Sequence, residues 1–325
     1  DATPPGSVRP EPEMRALMIF ILAIGACANG SPNGGDDKPD ARAGDGGIDP
    51  TGDGNTADAP EQPVTCGGQV CAAGQACNSG VCTFGCVGNS VPGDYSTIQT
   101  AVDALAATGQ DVTICLGNAT FSEPTIFIRD NANHGKTLRI IGESFDRSTI
   151  NAEVYVLAGW ASVTIQGVSI SVPTNRTALR SQPQNGSTVK VLASRLVGST
   201  TIEATQRQEL LVDGTELVAS SGYGVSAFGN GAGTPFNVRI ENSYLRGPNS
   251  YSVRTSTLNG AAINLTFVNN TVVGPEIGLD LSGQTTALVA NSMFTGTTSF
   301  AMQWQSTVNV TRQNNALWAN ATNYG

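Results

Sequence analysis

Charge is scarce in this chain. Lys, Arg, Asp and Glu together make up 13% of its 325 residues, and the 17 bases fall well short of the 26 acids. A basic stripe of the kind that tracks nucleic-acid phosphates is therefore missing, and nucleic acid is not an expected partner. Histidine occurs once, at His134. With no CxxC pair either, the spacing of the cysteines argues against zinc. No apolar run reaches the roughly 20 residues needed to span a bilayer, and Leu-rich helical runs are few. G-x-S-x-G, HExxH and P-loop motifs are all absent. What remains is rich in Gly, with 38, and in its second half in Ser, Thr, Asn, Val and Ile, which favours short strands and turns.

The formal charge of −9 is unevenly placed. Residues 1–93 hold eleven acids and four bases, and the remainder is nearly neutral. Residues 1–13, DATPPGSVRPEPE, do not suit the start of an export signal and are set aside. Met14 opens MRALMIFILAIGACANG, where one Arg precedes an apolar run of signal-peptide length. The run ends in Ile24-Gly25-Ala26-Cys27, which resembles the lipobox of bacterial lipoproteins. That resemblance implies a signal over 14–27, diacylation of Cys27, and the membrane as a partner through the lipid. Ala28, where Asp would favour the inner membrane, points to the outer membrane or cell surface. Residues 28–65 form an acidic Gly/Pro/Asp linker without core residues, with a reach of roughly 35 Å. Asp53, Asn55 and Asp58 within it miss the EF-hand calcium spacing.

Six further cysteines, Cys66, Cys71, Cys77, Cys82, Cys86 and Cys115, are an even number, as a disulfide framework in an exported protein requires. Residues 66–86, CGGQVCAAGQACNSGVCTFGC, are too few for a core and need staples. The expected pairing is Cys66–Cys77, Cys71–Cys82 and Cys86–Cys115, one of fifteen connectivities. The spacing resembles the Cys-rich knots that precede the main domain in other bacterial surface lipoproteins.

From residue 138 onward one pattern recurs. VRIENSYLRG at 238–247, LTFVNNTVVG at 265–274 and ALVANSMFTG at 287–296 share an apolar pair two apart, an Asn, a further apolar residue and Gly. The pattern starts at Leu138, Val163, Val189, Leu210, Val238, Leu265, Ala287 and Val310. Two positions on lie Ile140, Ile165, Val191, Val212, Ile240, Phe267, Val289 and, out of pattern, Arg312. Seven positions on lie Phe145, Ile170, Leu196, Leu217, Leu245, Val272, Phe294 and Leu317. A period in the twenties signals a solenoid. The fixed Leu comb of leucine-rich repeats is missing, and short β-branched runs between Gly, Asn and Ser describe coils of two or three strands. The expected fold is all-β, a parallel β-helix of about eight to nine rungs over residues 92–325, right-handed by the crossover preference.

Four positions after each start the column reads Gly142, Gly167, Ala193, Gly214, Asn242, Asn269, Asn291 and Asn314. Its Asn half resembles the asparagine ladder of pectate lyases and their relatives, the pectin-lyase-like family. DYSTIQTAVDAL…DVTICLGNATFSE likewise resembles the opening of pectinesterase-like β-helix proteins. Within it, Ile98, Ala101, Val102 and Leu105 share one helical face. Ser96 and Gln99 have capping-box spacing, and Gly109 is placed to end the helix. Such a helix would cover the open end of the coil.

Family members that are lyases, hydrolases or esterases carry Asp, Arg or Lys in a groove along one sheet. The pectinesterase motif ending in Phe-Gly has no counterpart here, nor has a lyase calcium cluster. No cofactor is expected, with calcium entering only for a lyase. Stacking the rungs nominates Lys190 and Arg239 one position after their starts, with Asp213 and Glu241 three positions after theirs, as catalytic candidates. Arg195, Glu216 and Tyr244, six positions after, are ligand-binding candidates. The alternative for all seven is a solvated face of alternating ion pairs. His134, in DNANHGKT, reads as a turn residue. Trp160, Trp304 and Trp318 either stack on sugars or pack at turns and ends. Together these readings imply a surface lipoprotein whose β-helix binds polysaccharide or an envelope partner without catalysis. A polysaccharide lyase or glycoside hydrolase, and a structural or adhesive spacer, are the alternatives.

Overall fold

The computed structural model describes residues 86–183, 186–205, 209–231, 233–248 and 250–325, with the backbone of short strands at 65–66, 69–70, 75–78 and 81–84. The leader, Cys27 and the linker lie outside the described residues. The same holds for Cys71 and for the side chains of Cys66, Cys77 and Cys82, and so for two of the three expected disulfides. Strands Gln75–Asn78 and Val81–Phe84 pair antiparallel, with Cys77 opposite Cys82 in backbone register. The third expected bridge, Cys86–Cys115, is formed across a Cα–Cα distance of 5.8 Å.

Residues from Asn89 onward wind into a parallel β-helix of about nine turns, each turn adding one strand to each of three sheets. The first sheet has ten strands, from Asn89–Val91 and Val112–Leu116 through Thr137–Gly142 to Asn309–Gln313. The second has nine short strands, from Ala119–Phe121 to Ala316–Trp318. The third also has nine, from Thr125–Ile128 to Thr322–Tyr324. The register along the first sheet is the one the repeat implies. Leu138, Val163, Val189, Leu210, Val238, Leu265, Ala287 and Val310 are successive Cα partners. One rung precedes them, with Val112 opposite Leu138.

Alternation along each strand sends these residues and those two positions on into a continuous apolar core. Arg312 is the exception, and its place explains it. It is exposed, in the rung built from Asn309–Gln313, and its guanidinium lies 5.1 Å from the Trp304 ring centre and 4.4 Å from that of Tyr324. Its charge stays in water while its planar group covers aromatic surface.

The structure corrects three expectations in detail. Phe145 does not join the inward column but is 36% exposed. Ile150 takes its place, pairing with Phe121 on one side and Ile170 on the other, because residues 143–147 form an inserted turn. The Asn column at Asn242, Asn269, Asn291 and Asn314 occupies left-handed backbone with φ of 51–58°, but its side chains are exposed and only one hydrogen bond joins them, from the Asn269 side-chain N–H to the Asn242 side-chain oxygen at 3.3 Å. The buried ladder runs one residue further on. In it the backbone N–H of Ser194, Thr215, Ser243, Asn270 and Ser292 donates to the side-chain oxygen of Thr215, Ser243, Asn270, Ser292 and Asn315 in turn, at 2.9–3.5 Å. At this corner the chain turns out of the first sheet and loses its sheet partners, so rung-to-rung side chains satisfy the buried N–H groups.

The third correction concerns the cap. Helix α1, Ile98–Ala106, is capped by Thr97, with Thr100 completing a capping box in place of Ser96 and Gln99. Glu123 adds its carboxylate, accepting from the N–H groups of Ile98 and Gln99 at 2.8 and 3.0 Å, where the helix dipole favours negative charge. Ile98, Ala101, Val102 and Leu105 are buried in the core cluster, so α1 closes the first rung as expected. No helix among the described residues is long and apolar enough to cross a membrane.

Candidate functional site

The nominated residues meet largely where the repeat places them. On the outer face of the first sheet, Asp213 is the register partner of Glu241, while Leu211 separates Lys190 from Arg239. Arg239 donates to Glu241 at 2.9 Å, and Asn242 donates to Asp213 at 2.8 Å. The Glu241 hydrogen bond, the largest influence, and its charge raise the Arg239 pKa. On the second sheet Arg195, Glu216 and Tyr244 are successive partners. Glu216 bridges Arg195, at 3.0 Å, and Arg246, at 3.2 Å. Arg239 with Glu241, and Arg195 and Arg246 with Glu216, are ion pairs on a sheet face, while Asp213 is held by the Asn242 amide.

A groove forms elsewhere, on the outer face of the third sheet. There Val154, Leu179, Ile202, Val225, Val253 and Leu279 turn inward and are buried. The next residue of each strand must face outward, which lines up Tyr155, Arg180, Glu203, Ser226, Arg254 and Asp280 as register partners. Phe127 precedes this column and Gln303 follows it.

Charges along the column are paired. Arg180 lies 3.7 Å from Glu153 and 3.5 Å from Glu203, and Arg254 lies 3.5 Å from Asp280. Ser226 interrupts the series. With strands about 4.8 Å apart, the Glu203 carboxylate and the Arg254 guanidinium stand on opposite sides of a gap floored by a small hydroxyl. Beside the gap Tyr223 stacks on Tyr251 at 5.5 Å, and Phe228 and Ser256 complete the walls. The resulting groove has a volume of about 480 Å³. Arg254 is fixed there by donating to the Tyr223 hydroxyl at 2.5 Å. Burial, the largest influence on Arg254, acts to lower its pKa, but the Tyr223 hydrogen bond and the charges of Tyr223, Asp280 and Tyr251 leave it raised. The Tyr251 phenol is pushed up by burial first, then by Glu276 and Asp280.

The groove thus offers a cation, a carboxylate, hydroxyls and an aromatic face. Neither Asp213 nor Glu241 lines it. Among the described residues no three His, Cys, Asp or Glu side chains gather into a cluster able to hold a metal. His134 sits in a turn organised by the buried Asp130, which accepts from the backbone N–H of Ala132 and His134 at 3.0 and 2.7 Å and lies 3.0 Å from His134 Nδ1. Trp160 is buried in the core, Trp304 belongs to the Arg312 stack, and Trp318 is exposed.

No protein-family model matches the chain, and no curated protein matches it. Among solved structures it is similar to YbhC of Escherichia coli, at 12% identity and a TM-score of 0.50, over 70% of this chain and 84% of that one. It is also similar to the A-module of the mannuronan C-5 epimerase AlgE4 of Azotobacter vinelandii, at 13% identity and a TM-score of 0.30, over 74% of this chain and 96% of that one. The likeness to YbhC shows the fold, a parallel β-helix.

Proposed function

We propose that this chain is a lipid-anchored surface protein of a bacterium whose β-helix binds polysaccharide along the outer face of the third sheet, without turning it over. The observation that carries this reading is the gap at Ser226. It places Glu203 and Arg254 on either side of a groove walled by Tyr223. A sugar has hydroxyls around its edge and an apolar C–H face, so it can be held between a charged pair and an aromatic ring. The absence of a recognisable catalytic motif in the sequence favours binding, and the lipobox at Cys27 supports the anchor.

The test is a panel of neutral and acidic polysaccharides, presented to the purified full chain with binding and product release read together. Binding that is lost in Arg254→Ala, with no product, is the expected result. Unsaturated or reducing-end products that vanish in Glu203→Gln would make the protein a lyase or hydrolase. Absence of binding across the panel would leave the structural or adhesive spacer.

A further inference from the structure

The outward column that forms the groove does not end with it. Phe127 and Tyr155 lead the same column, with ring centres 5.5 Å apart. The far side of Tyr155 is covered by Arg180, whose guanidinium lies 5.4 Å from the ring centre. The outer ring, Phe127, is 42% exposed. Among the described residues it is one of few large apolar side chains left in water, and no core position requires it there.

Its backbone is held from both sides. Gln99 of α1 accepts from the Phe127 N–H at 2.6 Å and donates to its carbonyl oxygen at 3.2 Å. The ring is therefore a fixed platform supported by the capping helix. Between Phe127 and the gap run Tyr155, Arg180 and Glu203, a flat stretch whose polar groups face outward. Phe127 and Ser226 are four strands apart, or about 19 Å along the axis. One ligand that touches both must be long, must lie parallel to the axis, and must present hydroxyls in the middle and an apolar face at its end.

We infer that Phe127 is a second, remote subsite for the polysaccharide chain held at the Glu203–Ser226–Arg254 gap, so that only an oligosaccharide several sugars long engages both. This rests on the polysaccharide reading of the groove. Bridging two subsites makes the second contact intramolecular, so affinity rises steeply once a chain is long enough and then levels off.

The experiment measures affinity of the full chain for xylo-oligosaccharides and oligogalacturonides from two to eight residues, with Phe127→Leu as the variant. Leu keeps an apolar side chain on the platform but removes the ring, and a thermal melt confirms that the variant is folded. The expected result is affinity that rises with length in the unaltered protein. In Phe127→Leu the long chains should bind about three- to tenfold more weakly, with the shortest bound chains unaffected. Affinity independent of length, or a length dependence that survives in Phe127→Leu, overturns the second subsite and leaves the groove as a binding site. No binding at any length by the unaltered protein overturns the polysaccharide reading and this inference with it.

Discussion

Arg254 sits with its guanidinium 5.4 Å from the centre of the Tyr223 ring while donating to the hydroxyl of the same residue at 2.5 Å. One side chain thus fixes both the cation and the aromatic wall of the groove. Tyr223→Phe should keep the wall but release the cation. The stability change should be small, about 0.5–1 kcal/mol, because Arg254 is partly exposed and its charge is screened. Polysaccharide binding should weaken more than stability does. Denaturant titration beside a binding isotherm separates the two.

Asp213→Ala and Glu241→Ala should leave polysaccharide binding intact, because neither residue lines the groove. The Arg239–Glu241 ion pair and the Asn242–Asp213 hydrogen bond lie on a solvated face and contribute at most about 1 kcal/mol each. Measured side by side with Arg254→Ala, they decide which sheet face carries the function. Loss of binding in the first-sheet variants alone would move the site there.

Asn269 and Asn270 are neighbours with opposite roles. Asn269 is exposed in left-handed backbone, and Asn269→Gly should be nearly neutral. Asn270 is buried, accepts from the Ser243 N–H at 2.9 Å and donates to the Ile240 carbonyl at 2.7 Å. Asn270→Ala strands both groups and should cost about 2–3 kcal/mol. Urea midpoints of the two variants give the comparison.

Tyr251 has a pKa raised above the ordinary tyrosine value of 10.0, by burial first. The neutral phenol is therefore favoured in the folded state. Its contribution is fully present below pH 10 and is lost as pH rises through the higher folded value. Tyr251→Phe should make stability less steeply dependent on pH in that alkaline range. Phenolate absorbance and denaturant midpoints, both followed against pH, supply the check.

The Cys86–Cys115 bridge closes a sequence separation of 29 residues that includes α1. Cys86→Ala with Cys115→Ala should lower stability by about 3–4 kcal/mol in the chain-entropy account. Calorimetry with and without the bridge tests it.

The rungs of the first sheet were legible because the turn after it is short and nearly constant. From Val163 onward the inward residue of the second sheet always comes seven positions after the start. The one exception, Phe145, marks the rung whose turn is longer. The groove was not legible, since the connection from the second to the third sheet varies. Arg180 of the outward column comes 10 positions after the inward Ile170 of its rung, whereas Glu203 comes 7 after Leu196. A count anchored on the first sheet therefore loses phase before it reaches Glu203, Ser226 and Arg254. Ser also carries no charge to catch the eye, and only the stacked geometry shows that it opens a gap. The Asn column drew attention to the visible left-handed corner, while the ladder beside it mixes Ser, Thr and Asn and has no single-letter signature.

Each rung rests only on its two neighbours, and the two ends differ. The first rung lies under α1 with Ile98 and Val102 fully buried. In the last, Val310 and Leu317 are only partly covered. Such a stack behaves as a line of coupled units rather than as one cooperative block. Amide hydrogen exchange should then be graded along the axis, fastest in the strands at 309–313, 316–318 and 322–324 and slowest toward the middle of the stack. Opening would start at that end and travel rung by rung, so an end rung could be lost while the groove three or more turns away stayed formed.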